Sequence, residues 1–172
     1  MLDCRGLVIC YACQQAPLQW TSPVSRDLEI NAPATTRALV ACLDSIGQFG
    51  GLGNLPPDTL ARVRIVVEEL FLNTINHGYG EECERPVRVR LSAGPAPVLT
   101  YEDEAPAFDP AGRSLAAQRL PASDGLRDGG VGIDLVYGLA SEVTWERSGD
   151  GNRLVVVFAA AANPFAEETP TA

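Results

Sequence analysis

One face of a long helical segment carries the side chains best suited to chemistry in this 172-residue sequence. Glu69, Asn73 and His77 recur at every fourth residue of RVRIVVEELFLNTINHGYG, the stretch from Arg62 to Gly80. Residues at this spacing lie one above another on the same face of a helix. Because burial of an unpaired carboxylate or carboxamide costs roughly 1–3 kcal/mol, we expect this row to face a polar ligand or group.

Two other groups of residues complement this row chemically. Asp103 follows an apolar run, and its carboxylate can accept a hydrogen bond from the amino group of a base. Gly129, Gly130 and Gly132 open a helical period, where glycine lets phosphate approach the backbone N–H groups at the positive end of a helix. Asn73 offers a side-chain oxygen, the type of ligand that Mg²⁺ prefers. The three groups together predict a binding site for ATP and Mg²⁺.

Each group also has a structural interpretation. Glu69 and Asn73, taken alone, fit a helix-surface pair or a buried capping interaction, and the glycines alone fit a simple loop. His77 precedes the end of the helix, where stabilisation of the last turn is favoured over contact with phosphate, although both remain open. Arg113 and Arg127 could contact phosphate, but most such arginines are solvated. The occurrence of all three groups in one chain favours the nucleotide site.

Apolar periodicity in the first half of the chain predicts a strand followed by two helices. RDLEINA alternates as a short strand, and a helix is expected to begin at Pro33, after Asn31 or Ala32. The glycine cluster at 50–53 is interpreted as the end of that helix and a loop.

The second helix is expected to start within residues 54–58, where proline and aspartate suit a first turn. It is expected to end at His77, with Gly78 as a left-handed cap. Its apolar stripe consists of Val63, Val67, Leu70, Phe71 and Thr74.

The second half of the chain predicts two strands, a loop, a helix and a closing hairpin. VRVRLSA and PVLTYEDEA are the strands, and residues 105–128 form a proline- and glycine-rich loop of the length common in functional lids. GGVGIDLVYGLASEV is the helix, and EVTWERSGDGNRLVVVF is a hairpin with its turn at residues 148–151. This order predicts an α+β two-layer sandwich, with a mixed, mostly antiparallel sheet and helices on one face.

Composition and charge limit the class of protein. The chain is 46% hydrophobic and 20% charged, which is typical of a globular domain. A net charge of −9 argues against a nucleic-acid surface, and no apolar run is long enough for a membrane helix. We expect a domain at 26–160, with an N-terminal extension at 1–25 that is not a signal peptide and a flexible tail at 161–172.

The cysteine pattern indicates a cytoplasmic protein with reduced thiols. Five cysteines is an odd number, and a chain of this size does not need disulfides for a stable core. Cys10 and Cys13 form a single CxxC motif, which could be redox-active or half of a zinc site. Because no second CxxC follows, incidental thiols are the favoured interpretation.

The motifs, in their order, resemble those of the GHKL (Bergerat-fold) ATPases and, within them, the anti-sigma-factor serine/threonine kinases of bacterial partner switching. VVEELFLNTINHGYG is similar to the N-box, DEAPAFDP to the G1 box and GGVGIDLV to the G2 box. GDGNRLVVVF is similar to the family's closing hairpin, and the resemblance covers about residues 26–159. The family usually has glycine at the positions of Ala105 and Ala107, where methyl groups either lower nucleotide affinity or require the strand end to shift.

This resemblance implies a role for each candidate residue. Glu69 is implied as the general base, Asn73 as the Mg²⁺ ligand, and Asp103 as the residue that recognises adenine. The nucleotide-binding residues implied by the motifs are Asn73, His77, Asp103, Ala105, Phe108, Gly129, Gly130, Val131 and Gly132.

The resemblance also implies partners. The phosphoacceptor is expected to be a small anti-sigma-factor antagonist, a sigma factor or other regulator is expected on a different surface, and relatives are often homodimers. Three alternatives remain: a catalytically inactive ATP-gated binding module, a histidine-kinase catalytic fragment, and an unrelated two-layer enzyme that uses Cys10 and Cys13. The methyl groups at Ala105 and Ala107 favour the first of these.

Overall fold

A β-sheet with one buried face forms one layer of the protein. The computed structural model describes residues 7–10, 27–108 and 131–159, in which a six-stranded sheet has the order β1-β2-β3-β4-β6-β5. β1 and β2 are parallel, and the other neighbouring strands are antiparallel. The strands are β1 (Leu7–Cys10), β2 (Asp27–Ala34), β3 (Cys83–Ser92), β4 (Val98–Asp103), β5 (Glu142–Ser148) and β6 (Gly151–Val157).

Helices cover one face of this sheet and form the second layer. They are α1 (Thr36–Phe49), α2 (Pro57–Asn73) and α3 (Val131–Leu139). Successive residues of β4 alternate between buried and partly exposed, as expected of a sheet with one covered face. The predicted mixed, mostly antiparallel α+β sandwich is therefore confirmed. No helix in the described ranges has both the length and the apolar character needed to cross a bilayer.

Helix α2 contributes the centre of the hydrophobic core. All five residues of its predicted apolar stripe are buried, and Val63, Val67 and Phe71 are 0% exposed. This stripe faces the inner side of the sheet, where Leu99 and Tyr101 of β4 are also buried. The 3.6-residue period of the helix therefore leaves Glu69 and Asn73 beside the core rather than inside it.

The predicted start of the first helix is wrong. Pro33 lies in β2, opposite Pro86 of β3, next to a register shift between Pro33 and Ala34. Proline has no N–H to donate, and irregular strand positions tolerate it. The N-cap is Thr35, whose hydroxyl accepts a hydrogen bond from the backbone N–H of Ala38 at 3.2 Å. Helix α1 therefore begins after Thr35, whose hydroxyl caps its first turn.

Two helix ends also differ from the sequence predictions. The glycine cluster does not form a loop after α1, because the chain continues as a π-helical turn over Gly50–Asn54. A second π-helical turn, Thr74–Tyr79, extends α2. The left-handed cap is Gly80, with φ 83°, rather than Gly78. The wider turn moves the cap two residues along the chain.

Several expectations fall on residues outside the described ranges. β1 lies within the segment predicted as an N-terminal extension, and the rest of that segment up to residue 26 is not described. The same is true of residues 109–128 of the predicted lid, 105–128, and of the predicted tail, 161–172.

Glu82 ties the start of α1 to the segment that follows the second π-helical turn. Its carboxylate accepts hydrogen bonds from the Thr36 hydroxyl and from the Thr36 backbone N–H, the latter at 2.9 Å. These bonds, the hydroxyl first, lower the pKa of Glu82 below its ordinary value of 4.5. A lowered folded-state pKa means that the charged group stabilises the fold above the unfolded-state pKa, and that this contribution is lost on acidification.

We predict that Glu82→Gln lowers the melting temperature at pH 7, because a neutral acceptor replaces the carboxylate at the helix N-terminus. The difference from wild type should narrow as pH falls below 4.5 and through the lowered pKa, where Glu82 itself becomes neutral. Thermal unfolding across this range measures the effect, with the exposed Glu84→Gln as the control. A difference in melting temperature between wild type and Glu82→Gln that does not change with pH would contradict the stabilising role of the Glu82 carboxylate.

Candidate functional site

The carboxylate of Asp103 is buried and held by hydrogen bonds from three groups. Asp103 ends β4 on the inner face of the sheet and is 9% exposed. Its Oδ1 accepts from the backbone N–H of Ala105 at 3.0 Å and from Asn152 Nδ2 at 2.8 Å. Its Oδ2 accepts from the Thr74 hydroxyl at 2.8 Å. A carboxylate has about four acceptor positions, so one position on Oδ2 is left for a donor on a ligand.

The Thr74 hydroxyl links Asp103 to Tyr101. The Thr74 and Tyr101 hydroxyl oxygens lie 2.8 Å apart, and Tyr101 is 1% exposed. Burial raises the pKa of Tyr101 well above its ordinary value, so its hydroxyl keeps its proton and can donate it to Thr74. Thr74 has a single proton, which Asp103 Oδ2 at 2.8 Å and the Leu70 carbonyl at 3.1 Å can each accept. Asp103 is the nearer of these two acceptors.

Asn152 joins Asp103 to the chain that follows β4. Asn152 is 2% exposed and pairs directly with Asp103 across β4 and β6. Besides Asp103, its Nδ2 donates to the carbonyl of Pro106 at 3.1 Å, and its Oδ1 accepts from the backbone N–H of Phe108 at 3.0 Å. Arg147 of β5 adds a hydrogen bond of 2.9 Å to the carbonyl of Ala105. The start of the predicted lid is thus held by β5 and β6.

A cavity of about 90 Å³ opens next to Asp103. Five predicted site residues line it, namely Asn73, His77, Asp103, Ala105 and Phe108. The sequence analysis also expected the Ala107 methyl group to affect nucleotide affinity, and Ala107 lines the cavity. It missed the other lining residues, which are Leu70, Thr74, Gly78, Tyr101, Pro106, Asn152 and Leu154. A buried acceptor in a mostly apolar cavity suits a flat, largely apolar ligand that carries a few polar groups.

Glu69 and Asn73 meet the first turn of α3 beyond this cavity. A Cβ placed on Gly132 would overlap the Glu69 carboxylate and would lie 3.7 Å from Asn73 Nδ2. Glycine at position 132 therefore leaves room for the Glu69 carboxylate, which would have to move if a side chain stood there. Asn73 belongs to both parts of the site, because it also lines the cavity beside Asp103.

The described residues leave the Asn73 carboxamide incompletely satisfied. Its Nδ2 is buried and has no hydrogen-bond partner among them. An orphaned N–H₂ donor near a glycine at a helix start fits a phosphate oxygen. The oxygen of the same carboxamide is the atom that would hold Mg²⁺, which usually takes few protein ligands and keeps water and phosphate oxygens. The donor set at this point is thus compatible with both groups.

Part of the predicted phosphate-binding set cannot be located. Gly129 and Gly130 lie outside the described residues, as do Arg113 and Arg127. Val131 is described by its backbone alone, as the first residue of α3.

A larger depression of about 460 Å³ lies at the ends of β3, β4 and β6. It is open and of mixed charge, with Arg85 and Arg88 facing Glu102, Glu104 and Asp150. We take the smaller cavity as the candidate site because it is the one that Asn73 and Thr74 line as well as Asp103.

The fold is that of the two-layer ATPase domains of GHKL type. A family model for the histidine kinase-like ATPase domain matches residues 32–158. The chain belongs to this family, whose members are ATP-binding domains.

Two solved structures have a similar fold. One is that of the RsbU and RsbW domains of Rv1364c from Mycobacterium tuberculosis, with 14% identity and a TM-score of 0.55 over 79% of this chain. This chain covers 33% of that one. The other is the SiaB–SiaC complex from Pseudomonas aeruginosa, with 15% identity and a TM-score of 0.59 over 77% of this chain and 90% of the other. A comparison with curated protein sequences gives no match.

The missed site residues left weak signals in the sequence. Thr74 fits the apolar stripe by position, and only its hydroxyl hints at a buried polar partner. Asn152 follows the hairpin turn, where asparagine is common for local reasons. Their partners lie 29 and 49 residues away, so that neither contact is visible in the local pattern.

We predict that Thr74→Val destabilises the protein by about 1–3 kcal/mol, because Asp103 Oδ2 and the Tyr101 hydroxyl both lose a buried partner while side-chain shape is kept. Urea unfolding gives the free energy. Thr144→Val, at an exposed position of β5, is the matched control and should change it by less than about 0.5 kcal/mol. Equal changes in the free energy of unfolding for the two substitutions would contradict a stabilising role of the hydrogen bonds that Thr74 makes with Asp103 and Tyr101.

Proposed function

We propose that this chain is an ATP- and Mg²⁺-dependent protein serine/threonine kinase of the anti-sigma type. One observation carries the proposal. The Glu69 carboxylate lies against the first turn of α3 beside Asn73, and Asn73 also lines the cavity that contains Asp103. A single elongated ligand can therefore reach both an adenine-binding acceptor and a candidate base.

Asp103 would bind the adenine end of the nucleotide. Its Oδ1 already accepts two hydrogen bonds and its Oδ2 accepts one, so the remaining acceptor position faces a donor such as the 6-amino group of adenine. Ala105 and Phe108 line the same cavity and would contact the base, and His77 lies at its edge.

Asn73 and the start of α3 would bind the phosphate end. Gly132 lets the helix N-terminus come close, and the N-terminal N–H groups of a helix favour negative charge. The resemblance assigns Gly129, Gly130 and Val131 to the same role, and Asn73 to Mg²⁺. When bound, Mg²⁺ would supply neutralisation of charge on the transferred phosphoryl group.

Glu69 would act as the general base. It would accept the proton of a serine or threonine hydroxyl on the partner as the hydroxyl oxygen bonds to the γ-phosphorus and ADP leaves. The Glu69 carboxylate lies next to Gly132 in the first turn of α3, at the end of the site where the phosphates would bind and such a base is needed.

The expected partner is a protein rather than a small molecule. Family membership and the likeness in fold to an RsbW domain and to the SiaB–SiaC complex support this proposal. By resemblance, the phosphoacceptor is a small anti-sigma-factor antagonist, and a sigma factor or other regulator binds another surface. By resemblance, the protein is cytoplasmic, and relatives are often dimers.

We predict that Glu69→Gln lowers phosphoryl transfer by about 100-fold or more while ATP affinity stays within about threefold of wild type, because only the proton acceptor is lost. The assay incubates the protein with labelled ATP, Mg²⁺ and a candidate antagonist encoded nearby. Glu68→Gln is the matched control, since Glu68 is the neighbouring residue and is exposed.

Each result of this assay has a distinct meaning. Undiminished transfer by Glu69→Gln contradicts the base assignment. Tight ATP binding by the wild-type protein without transfer supports the alternative of an ATP-gated binding module. Absence of ATP binding contradicts the proposed function as a whole.

A further inference from the structure

Gly78 and Ala105 lie against each other across the base cavity. Gly78 is in the π-helical turn after α2, and Ala105 follows β4 with 2% of its surface exposed. A Cβ placed on Gly78 would be 2.8 Å from the Cβ of Ala105, closer than real Cβ atoms approach. The space between the two segments therefore holds one methyl group, which belongs to Ala105.

The backbone at Gly78 does not itself require glycine. Among the described glycines, positive φ angles occur at Gly80, with 83°, and at Gly149, with 60°. Because Gly78 is not among them, an alanine could adopt its backbone conformation without strain. What excludes a side chain at position 78 is the methyl group of Ala105.

Both segments also hold Asp103. The backbone N–H of Ala105 donates to Asp103 Oδ1 at 3.0 Å. The turn that contains Gly78 begins with Thr74, whose hydroxyl donates to Asp103 Oδ2 at 2.8 Å. The Thr74 Cγ2 atom is 3.8 Å from the position of a Cβ on Gly78. A clash between positions 78 and 105 must move Gly78 or Ala105, and each lies in a segment that supplies one of these two donors.

We infer that positions 78 and 105 form a steric pair that sets the position of the Asp103 carboxylate and thereby the affinity for the adenine nucleotide. One member of the pair carries a methyl group only if the other is glycine. This inference rests on the proposed function, since it takes Asp103 as the residue that binds the base. It also explains how alanine is accommodated at position 105, where the family usually has glycine.

A double-mutant cycle tests the pair. ATP affinity is measured by calorimetry, well below each melting temperature, for the wild type, Gly78→Ala, Ala105→Gly and the double variant. Gly78→Ala should lower the ATP affinity by about tenfold or more. The double variant should bind ATP with an affinity within about threefold of that of Ala105→Gly alone.

Gly80→Ala is the matched control for an added methyl group in the same region. Among the described residues, no atom beyond the chain neighbours lies within 4 Å of a Cβ at position 80, and the cost there comes from a φ of 83°. Ala105→Gly should therefore not relieve any effect of Gly80→Ala, since backbone strain does not depend on residue 105.

Two results would overturn the inference. One is wild-type ATP affinity in Gly78→Ala, and the other is a double variant that binds ATP about tenfold more weakly than Ala105→Gly alone. A lower melting temperature together with wild-type affinity in Gly78→Ala would mean that the pair has a packing role only. If Gly78→Ala does not fold, the inference is tested by the ATP affinity of the double variant compared with that of Ala105→Gly alone.

Failure of the proposed function gives a different pattern. A wild-type protein that binds no ATP contradicts the proposed function and the link to affinity. The steric pair is then judged by thermal unfolding in the same cycle. Stability lost in Gly78→Ala and recovered in the double variant supports the pair, and equal loss in both backgrounds overturns it.

Discussion

The buried carboxylate of Asp103 is the constraint on which the rest of the site depends. A charged group that is 9% exposed is costly unless it is hydrogen-bonded, and here three separate segments supply its donors. They are the π-helical turn after α2, the chain that follows β4, and β6. Because each donor must reach the same two oxygen atoms, these segments are fixed relative to one another. The cavity beside Asp103 is what remains between them.

Helix α2 connects this cavity to the other part of the site. Its apolar stripe is anchored in the core, while the neighbouring row places Glu69 and Asn73 at the start of α3. The helix changes to a π-helical turn directly after Asn73, and Thr74 begins that turn. The α-helical part therefore carries the candidate base and the candidate metal ligand. The π-helical turn carries Thr74, which supports Asp103. A rigid helix with two differently used faces is well suited to hold both ends of one nucleotide.

Much of the fold and about half of the cavity could be predicted from local patterns. The period of 3.6 residues identified the buried stripe of α2, and the motifs identified Asn73, Asp103 and Gly132. The predictions that failed concerned helix boundaries set by local geometry, whereas the missed site residues depended on contacts between distant segments. Thr35 replaced Pro33 at a helix start because a hydroxyl cap and a strand irregularity act together, and Gly80 replaced Gly78 as the cap because the turn is wider than an α-helical one. The roles of Tyr101 and Asn152 required knowledge of which strands are neighbours.

The central claim is that an adenine nucleotide binds with its base at Asp103, and calorimetric titration of the wild-type protein with ATP and with GTP, each with Mg²⁺, tests it most directly. Guanine has a carbonyl oxygen where adenine has its 6-amino group, and this oxygen would face an acceptor that has no proton to donate. The account predicts that ATP binds and that GTP binds about 100-fold more weakly or worse. Equal affinities for the two nucleotides would contradict it.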